Sequence, residues 1–362
     1  MNSAQRLHEL GQSLWLDNLS RDLLDSGTLA RYVRDLSLTG LTSNPTIFDK
    51  AIAETPLYDE TIRRAAGDPS VEAIVFDLAL ADLARAAALF RPAFDASGGA
   101  DGWASLEVSP VLASDTKGTI AQVRALHARA AIPNLFIKIP GTAEGIPAIE
   151  ECLFAGIPIN VTLLFSSQQY LAAAGAHRRA IARRLAAGLK TPVRSVASVF
   201  VSRWDKAVND KVPEKLRNRL GIAIARRTYH AHRALLNSPS WRRLADAGAP
   251  PQRLLWASTG TKDPTASDVL YVEALVAADT INTMPEATLL AFADHGRVAD
   301  VLPPDGGGAD RVLAQFRKEG IDTASLALEL QREGAASFTK SWQQLLARVA
   351  AKRGGSATAR AA

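Results

Sequence analysis

Asn134–Gly141 reads NLFIKIPG, an aliphatic run suited to a buried strand with Lys138 set in its middle. An ammonium there loses its hydration, so it must pair or give up its proton. Side chains alternate along a strand, which puts Leu135, Ile137 and Ile139 on one face and Phe136 and Lys138 on the other. The question raised by Lys138 is what its own face looks onto.

The same division recurs in other strands. In SLWLDNL, Leu14 and Leu16 oppose Trp15 and Asp17; in WASLEVSP, Leu106 and Val108 oppose Ser105, Glu107 and Ser109. In PINVTLLF, Ile159, Val161 and Leu163 oppose Asn160 and Thr162, and in LTSNP, Thr42 shares parity with Asn44. One face is aliphatic and suits a layer of helices. The other carries single polar groups near the strand's C-terminal end.

Eight such strands are legible, completed by LTGLTSNP, VRSVASVFV, RLLWAST and DTINTMP, and helical patterns such as TLARYVRDL and TKGTIAQVRALHARA lie between them. Eight strands alternating with helices predict a closed parallel barrel, a single (β/α)8 TIM barrel; no Gly-x-Gly-x-x-Gly follows the first strand to favour a nucleotide-binding sheet. Additional helices are expected at residues 46–94 and 309–353. Residues 1–350 read as one domain and 351–362, small and basic, as a disordered tail. Trp15, Trp103 and Trp256 are expected to fill the barrel.

Composition narrows the class. The 362 residues are 47% hydrophobic and 22% charged with a net charge of +5, ordinary for a soluble globular protein. Basic residues are scattered and not interleaved with aromatics, so no nucleic-acid partner is expected. No apolar run reaches the length of a membrane span, and no signal peptide is legible. The one cysteine, Cys152, permits no internal disulfide and reads as inert core, which fits a reducing, cytoplasmic setting. The histidines lack metal-ligand spacing, so no metal is expected.

Active sites of such barrels lie at the C-terminal ends of the strands. Converging there would be Lys138, the carboxylates Asp17 and Glu107, the amides Asn44 and Asn160, and several hydroxyls. A desolvated lysine offers free amine to attack a carbonyl, and a nearby carboxylate can move protons. This is the equipment of a Schiff-base aldolase. Singly, each group has a plainer reading: a snorkelling lysine, a carboxylate paired to arginine, or a turn-forming Asn-Pro.

LTGLTSNPTIFDKAI, SLEVSPVLASDT, NLFIKIPGTAEG, INVTLLFS, VASVFVSRWD and LLWASTGTKDP resemble, in order and spacing, the motif blocks of transaldolases, over about Leu14 to Leu290. The closest likeness is to the longer bacterial type. The resemblance implies a (β/α)8 barrel, with Lys138 as the Schiff-base lysine on the fourth strand and Asp17 as the acid/base that takes the C4 hydroxyl proton. It implies that Glu107 and Thr162 hold a catalytic water, and that Asn44, Asn160 and Ser198 bind the dihydroxyacetone portion. Arg203, Ser258 and Lys262 fall where the family grips the sugar phosphate; many members have arginine in place of Lys262. No cofactor is implied, and a homodimer is a common state of such proteins. The related fructose-6-phosphate aldolases carry glutamine and tyrosine where this chain has Glu107 and Phe200, which favours transaldolase. A third reading, a non-catalytic phosphosugar-binding protein, sits poorly with the intact set of Lys138, Asp17, Glu107 and Thr162.

Overall fold

The computed structural model describes residues 1–65 and 69–358, and side chains through residue 354. All eight strands read from the sequence form: β1 (Ser13–Leu16), β2 (Leu38–Thr42), β3 (Trp103–Glu107), β4 (Leu135–Pro140), β5 (Ile159–Leu164), β6 (Ser195–Phe200), β7 (Arg253–Ala257) and β8 (Ile281–Met284). They close in sequence order into one parallel barrel, β8 pairing back onto β1.

The alternation has the consequence it predicted. Leu14, Leu16, Leu106, Leu135, Ile137, Ile139, Ile159 and Val161 pack outward against the helices in one continuous core. Trp15, Trp103, Phe136, Val196, Leu255 and Ile281 fill the inside. There Trp103 stacks on Phe136 at 4.0 Å between centroids. Trp15 lies so close to β2 that a Cβ on Gly40 would sit 2.6 Å from its indole, so only glycine fits at that position.

Two expected placements are corrected. Leu163 joins the inner cluster and not the aliphatic face. Its φ of +58° breaks the alternation, and the β5–β6 register shifts between Val161 and Leu164. Trp256 lies with the outer core, while its neighbours Leu255 and Ala257 face inward. Counting back from Ser258 would have put Trp256 inside; a left-handed φ of +57° at Ser258 offsets that count.

The floor of the barrel is polar. Buried Asp101 accepts from Trp15 Nε1 at 3.0 Å and from Ser13 Oγ, and Arg253 donates to the same Ser13 oxygen at 2.8 Å. Asp101→Ala leaves an indole donor orphaned and takes a negative charge from beside a buried guanidinium, so it is expected to cost about 2–4 kcal/mol of stability. The urea midpoint measures this; a change under about 0.5 kcal/mol, the range of ordinary surface substitutions, would show the network to be dispensable.

The expected extra helices flank the barrel. Between β2 and β3 lie Pro45–Glu54, Asp59–Arg63 and Val71–Ala96; after β8 come Glu286–His295, Ala309–Lys318 and Thr323–Thr358. The last of these runs across the mouth of the barrel. Gln331 Nε2 donates to Gly141 O at 3.0 Å and Leu163 O at 2.9 Å, and Arg348 pairs with Asp49 at 2.8 Å. Part of the stretch read as a tail lies on this helix, and 359–362 lie outside the described residues. Among the described residues, no helix is long and apolar enough to cross a membrane.

Candidate active site

Strand register puts the central groups side by side. Glu107 of β3 is the register partner of Lys138 on β4, which is the partner of Asn160 on β5. Lys138 is only 4% exposed. Its Nζ donates to Ser43 O at 3.1 Å and lies 3.1 Å from Glu107 Oε2. The latter contact is one of charge, since neither Glu107 oxygen has an aligned hydrogen-bond donor among the described residues. Burial raises the Glu107 carboxyl above its ordinary range, as does the charge of Asp17, while Lys138 and Arg203 pull it down.

Asp17 follows β1 directly. It accepts from Thr42 Oγ1 at 2.8 Å, and that hydroxyl lies 2.7 Å from Thr283 Oγ1 on β8. Asp17 keeps partial exposure to the cavity yet sits deep among protein atoms. Its pKa is raised, with desolvation outweighing the opposing charges of Lys138, Lys262 and Arg203 and the bond from Thr42. A proton acceptor with this pKa direction is better matched to neutral pH than a surface carboxylate.

Asp17, Asn44, Lys138, Thr162, Ser198, Arg203, Ser258 and Lys262 line one cavity of about 110 Å³. Larger surface clefts exist, such as one of about 450 Å³ beside Arg227 and Arg317, but they hold none of these groups. Glu107 and Asn160 are buried and are not among the residues lining that cavity. Asn160 is fully buried, donating to Ser105 Oγ at 3.2 Å and accepting from Ser198 Oγ at 2.7 Å. Asn44 caps the helix Pro45–Glu54, accepting from Ile47 N at 3.1 Å, so it turns the chain and lines the cavity at once. Thr162 Oγ1 is buried without a hydrogen-bond partner among the described residues.

The rim is cationic. Lys262 is exposed, and Ser258 bonds Ser202 at 2.9 Å. Arg203 lies with its guanidinium carbon 5.2 Å from the Phe200 ring centre and 5.7 Å from that of Phe338. Desolvation lowers its pKa, against the charges of Glu107, Glu333 and Asp17. Thr283 and Phe338 also line the cavity and were not singled out in the sequence. Thr283 was within reach, being a polar residue in the strand DTINTMP. Phe338 carries no strand parity to betray it.

Two residues beyond Arg203, buried Asp205 accepts from Leu220 N at 2.8 Å, Gly221 N at 3.2 Å and Tyr271 Oη at 3.0 Å, capping the helix Leu220–Leu236. Burial pushes its carboxyl up to about 6, against those three donors. A folded-state value above the unfolded one gives stability that is full below about pH 4 and is lost as pH rises through about 6, a contribution of up to about 3 kcal/mol. Asp205→Asn is expected to remove that slope. Urea midpoints measured from pH 4.5 to 7.5 in both proteins test it; parallel curves would assign the dependence elsewhere.

Together these features define a class: (β/α)8-barrel proteins whose buried lysine–carboxylate site opens at the C-terminal ends of the strands. Residues 14–349 match the family described as Transaldolase/Fructose-6-phosphate aldolase, and the chain belongs to that family. It is 45% identical to "Transaldolase" of Parafrankia sp., with 97% of this chain and 98% of that protein covered. It is 42% identical to "Transaldolase" of Thiobacillus denitrificans, covering 96% of this chain and 100% of that protein. Identity to "Transaldolase 2" of Nostoc sp. is 39%, with 96% of each covered. The family implies sugar phosphates as substrates.

Proposed function

We infer that this protein is a transaldolase, moving a dihydroxyacetone unit from a ketose phosphate, fructose 6-phosphate or sedoheptulose 7-phosphate, to an aldose phosphate, glyceraldehyde 3-phosphate or erythrose 4-phosphate. The observation that carries this reading is the Lys138 amine, buried beside Glu107 and opening onto the same cavity as Asp17. The chemistry fits the pentose phosphate pathway. A cytoplasmic setting, the absence of a nucleic-acid partner and a homodimeric assembly complete the proposal.

The steps follow from the positions of the groups. Glu107, its carboxyl raised by burial, takes the ammonium proton of Lys138. The free amine adds to C2 of the ketose, and loss of water gives an imine. Glu107 and Thr162, whose buried side-chain oxygens lack aligned donors among the described residues, suit the holding of that water. Asp17 removes the C4 hydroxyl proton, the C3–C4 bond breaks, and its electrons pass to the imine nitrogen as an enamine. The aldose phosphate leaves, and the acceptor adds by the reverse of these steps. Asn44 and Ser198 suit the hydroxyls of the three-carbon unit, with Asn160 fixing Ser198 from below. Arg203, Ser258 and Lys262 suit the phosphate.

Glu107 and Phe200 favour transfer to an acceptor over release of free dihydroxyacetone. Borohydride reduction in the presence of fructose 6-phosphate, followed by mass-spectrometric mapping, is expected to place a three-carbon adduct on Lys138. Product formation should require an aldose phosphate acceptor. Acceptor-independent release of dihydroxyacetone would make the protein an aldolase, and the absence of any adduct would make it a binding protein.

A further inference from the structure

We propose that Phe338, on the helix that crosses the barrel mouth, is a positioning residue for Arg203 and so helps set preference for phosphorylated substrates. The inference rests on the reading of Arg203 as a phosphate-binding cation. Arg203 is half-buried, yet among the described residues no hydrogen bond or ion pair holds its guanidinium. What it has are two aromatic rings, Phe200 at 5.2 Å from the end of β6 and Phe338 at 5.7 Å from the helix Thr323–Thr358.

That mode of restraint has a chemical consequence. Rings attract a guanidinium through its face and leave the N–H donors, which lie in its plane, unspent. A carboxylate partner would occupy those donors and offset the charge. Arg203 is thus held while staying able to grip an anion by two parallel bonds.

The helix is built to keep Phe338 in place. Gln331, Gly334 and Phe338 follow at helical spacing and turn toward the barrel. Gln331 ties the helix to the ends of β4 and β5 through Gly141 O and Leu163 O, and Trp342, one turn beyond Phe338, packs on Phe76 at 5.3 Å. At Gly334 an added Cβ would lie 3.1 Å from Arg203 Nη1 and 2.9 Å from Leu163 Cδ2, so the helix backbone itself bounds the space of the guanidinium. Phe338 also lines the cavity that contains Lys138.

The test compares glyceraldehyde 3-phosphate with unphosphorylated glyceraldehyde as acceptor. Phe338→Leu keeps an apolar side chain but removes the ring, and is expected to raise KM for the phosphorylated acceptor by about 5- to 20-fold with a much smaller fall in kcat. Phe338→Tyr is expected to restore most of the loss. Gly334→Ala, whose added Cβ would lie 3.1 Å from Arg203 Nη1, should shift the same ratio without touching the ring. Arg203→Ala should abolish most of the phosphate preference, and adding Phe338→Leu to it should cost nothing more. If Arg203→Ala leaves the preference intact, the phosphate reading of Arg203 fails and the inference with it. If Arg203→Ala removes the preference while Phe338→Leu does not, or the two effects simply add, the positioning role alone is overturned.

Discussion

Lys138→Met is expected to abolish turnover, by about 10⁴-fold or more, and to leave no adduct for borohydride to trap. A loss of that size corresponds to about 5 kcal/mol of transition-state stabilisation, within what a covalent route can supply. Two further arguments separate chemistry from folding. Removing the lysine strands the Glu107 carboxylate, whose charged partner 3.1 Å away is gone, and breaking a buried pair from one side costs about 3–5 kcal/mol unless the carboxyl takes up a proton. Lys138→Met with Glu107→Leu replaces the pair by apolar groups and should recover much of the stability while staying inactive. Lys262 supplies the control, since it is the other lysine that lines the cavity. It is exposed at the rim, whereas Lys138 lies buried 3.1 Å from Glu107, the carboxylate placed to take its proton. Lys262→Met is therefore expected to weaken substrate binding but still yield the adduct. An adduct mapped to Lys262, or more than about one per cent of turnover left in Lys138→Met, would overturn the assignment of the nucleophile.

The barrel was legible because two independent patterns agree. Strand-length apolar runs alternate with helix-length periodic ones, and within β3, β4 and β5 the polar groups fall on one parity only. Register then does what no sequence pattern states. The one-for-one pairing of β3, β4 and β5 turns Glu107, Lys138 and Asn160, more than 50 residues apart end to end, into neighbours. Where alternation misled, at Leu163, the cause is local: a left-handed residue near the strand's end shifts which neighbours face inward. The part of the site's wall that Phe338 supplies could not be read at all. Phe338 is placed by a helix beyond the last strand, anchored through Gln331 to main-chain carbonyls, and carbonyls leave no mark on a sequence. Thr283 was missed for a different reason. Its role is to bond Thr42, which in turn bonds Asp17, and hydroxyls in strands are too common for one to stand out.

Asp17→Ala should slow carbon–carbon cleavage by about 10²- to 10⁴-fold, the usual span for removing a general base, while imine formation falls far less. The asymmetry follows from position. Glu107 is in contact with Lys138 Nζ and can serve imine formation without Asp17. Asp17 is held from the β2 side by Thr42 and meets the shared cavity from the end of β1, where a C4 hydroxyl would need its base. The variant should therefore accumulate the imine. Borohydride treatment with fructose 6-phosphate is expected to fix the whole six-carbon sugar to Lys138, where the wild type yields chiefly the three-carbon fragment. Mass spectrometry distinguishes the two directly. The pH profile gives a second measure. Desolvation raises Asp17 above the ordinary carboxylate range, so the ionised base is lost at a higher pH than a surface aspartate would allow, and the acid limb of wild-type kcat should lie correspondingly high. Asp17→Ala has no such group to titrate, and its residual cleavage should lack that limb. Thr42→Val removes a hydrogen bond that favours the charged form, so it should move the limb further toward neutral pH. Equal loss of imine formation and cleavage in Asp17→Ala would assign the aspartate to proton traffic at the amine, and Glu107 would then have to be reconsidered as the base for the C4 hydroxyl.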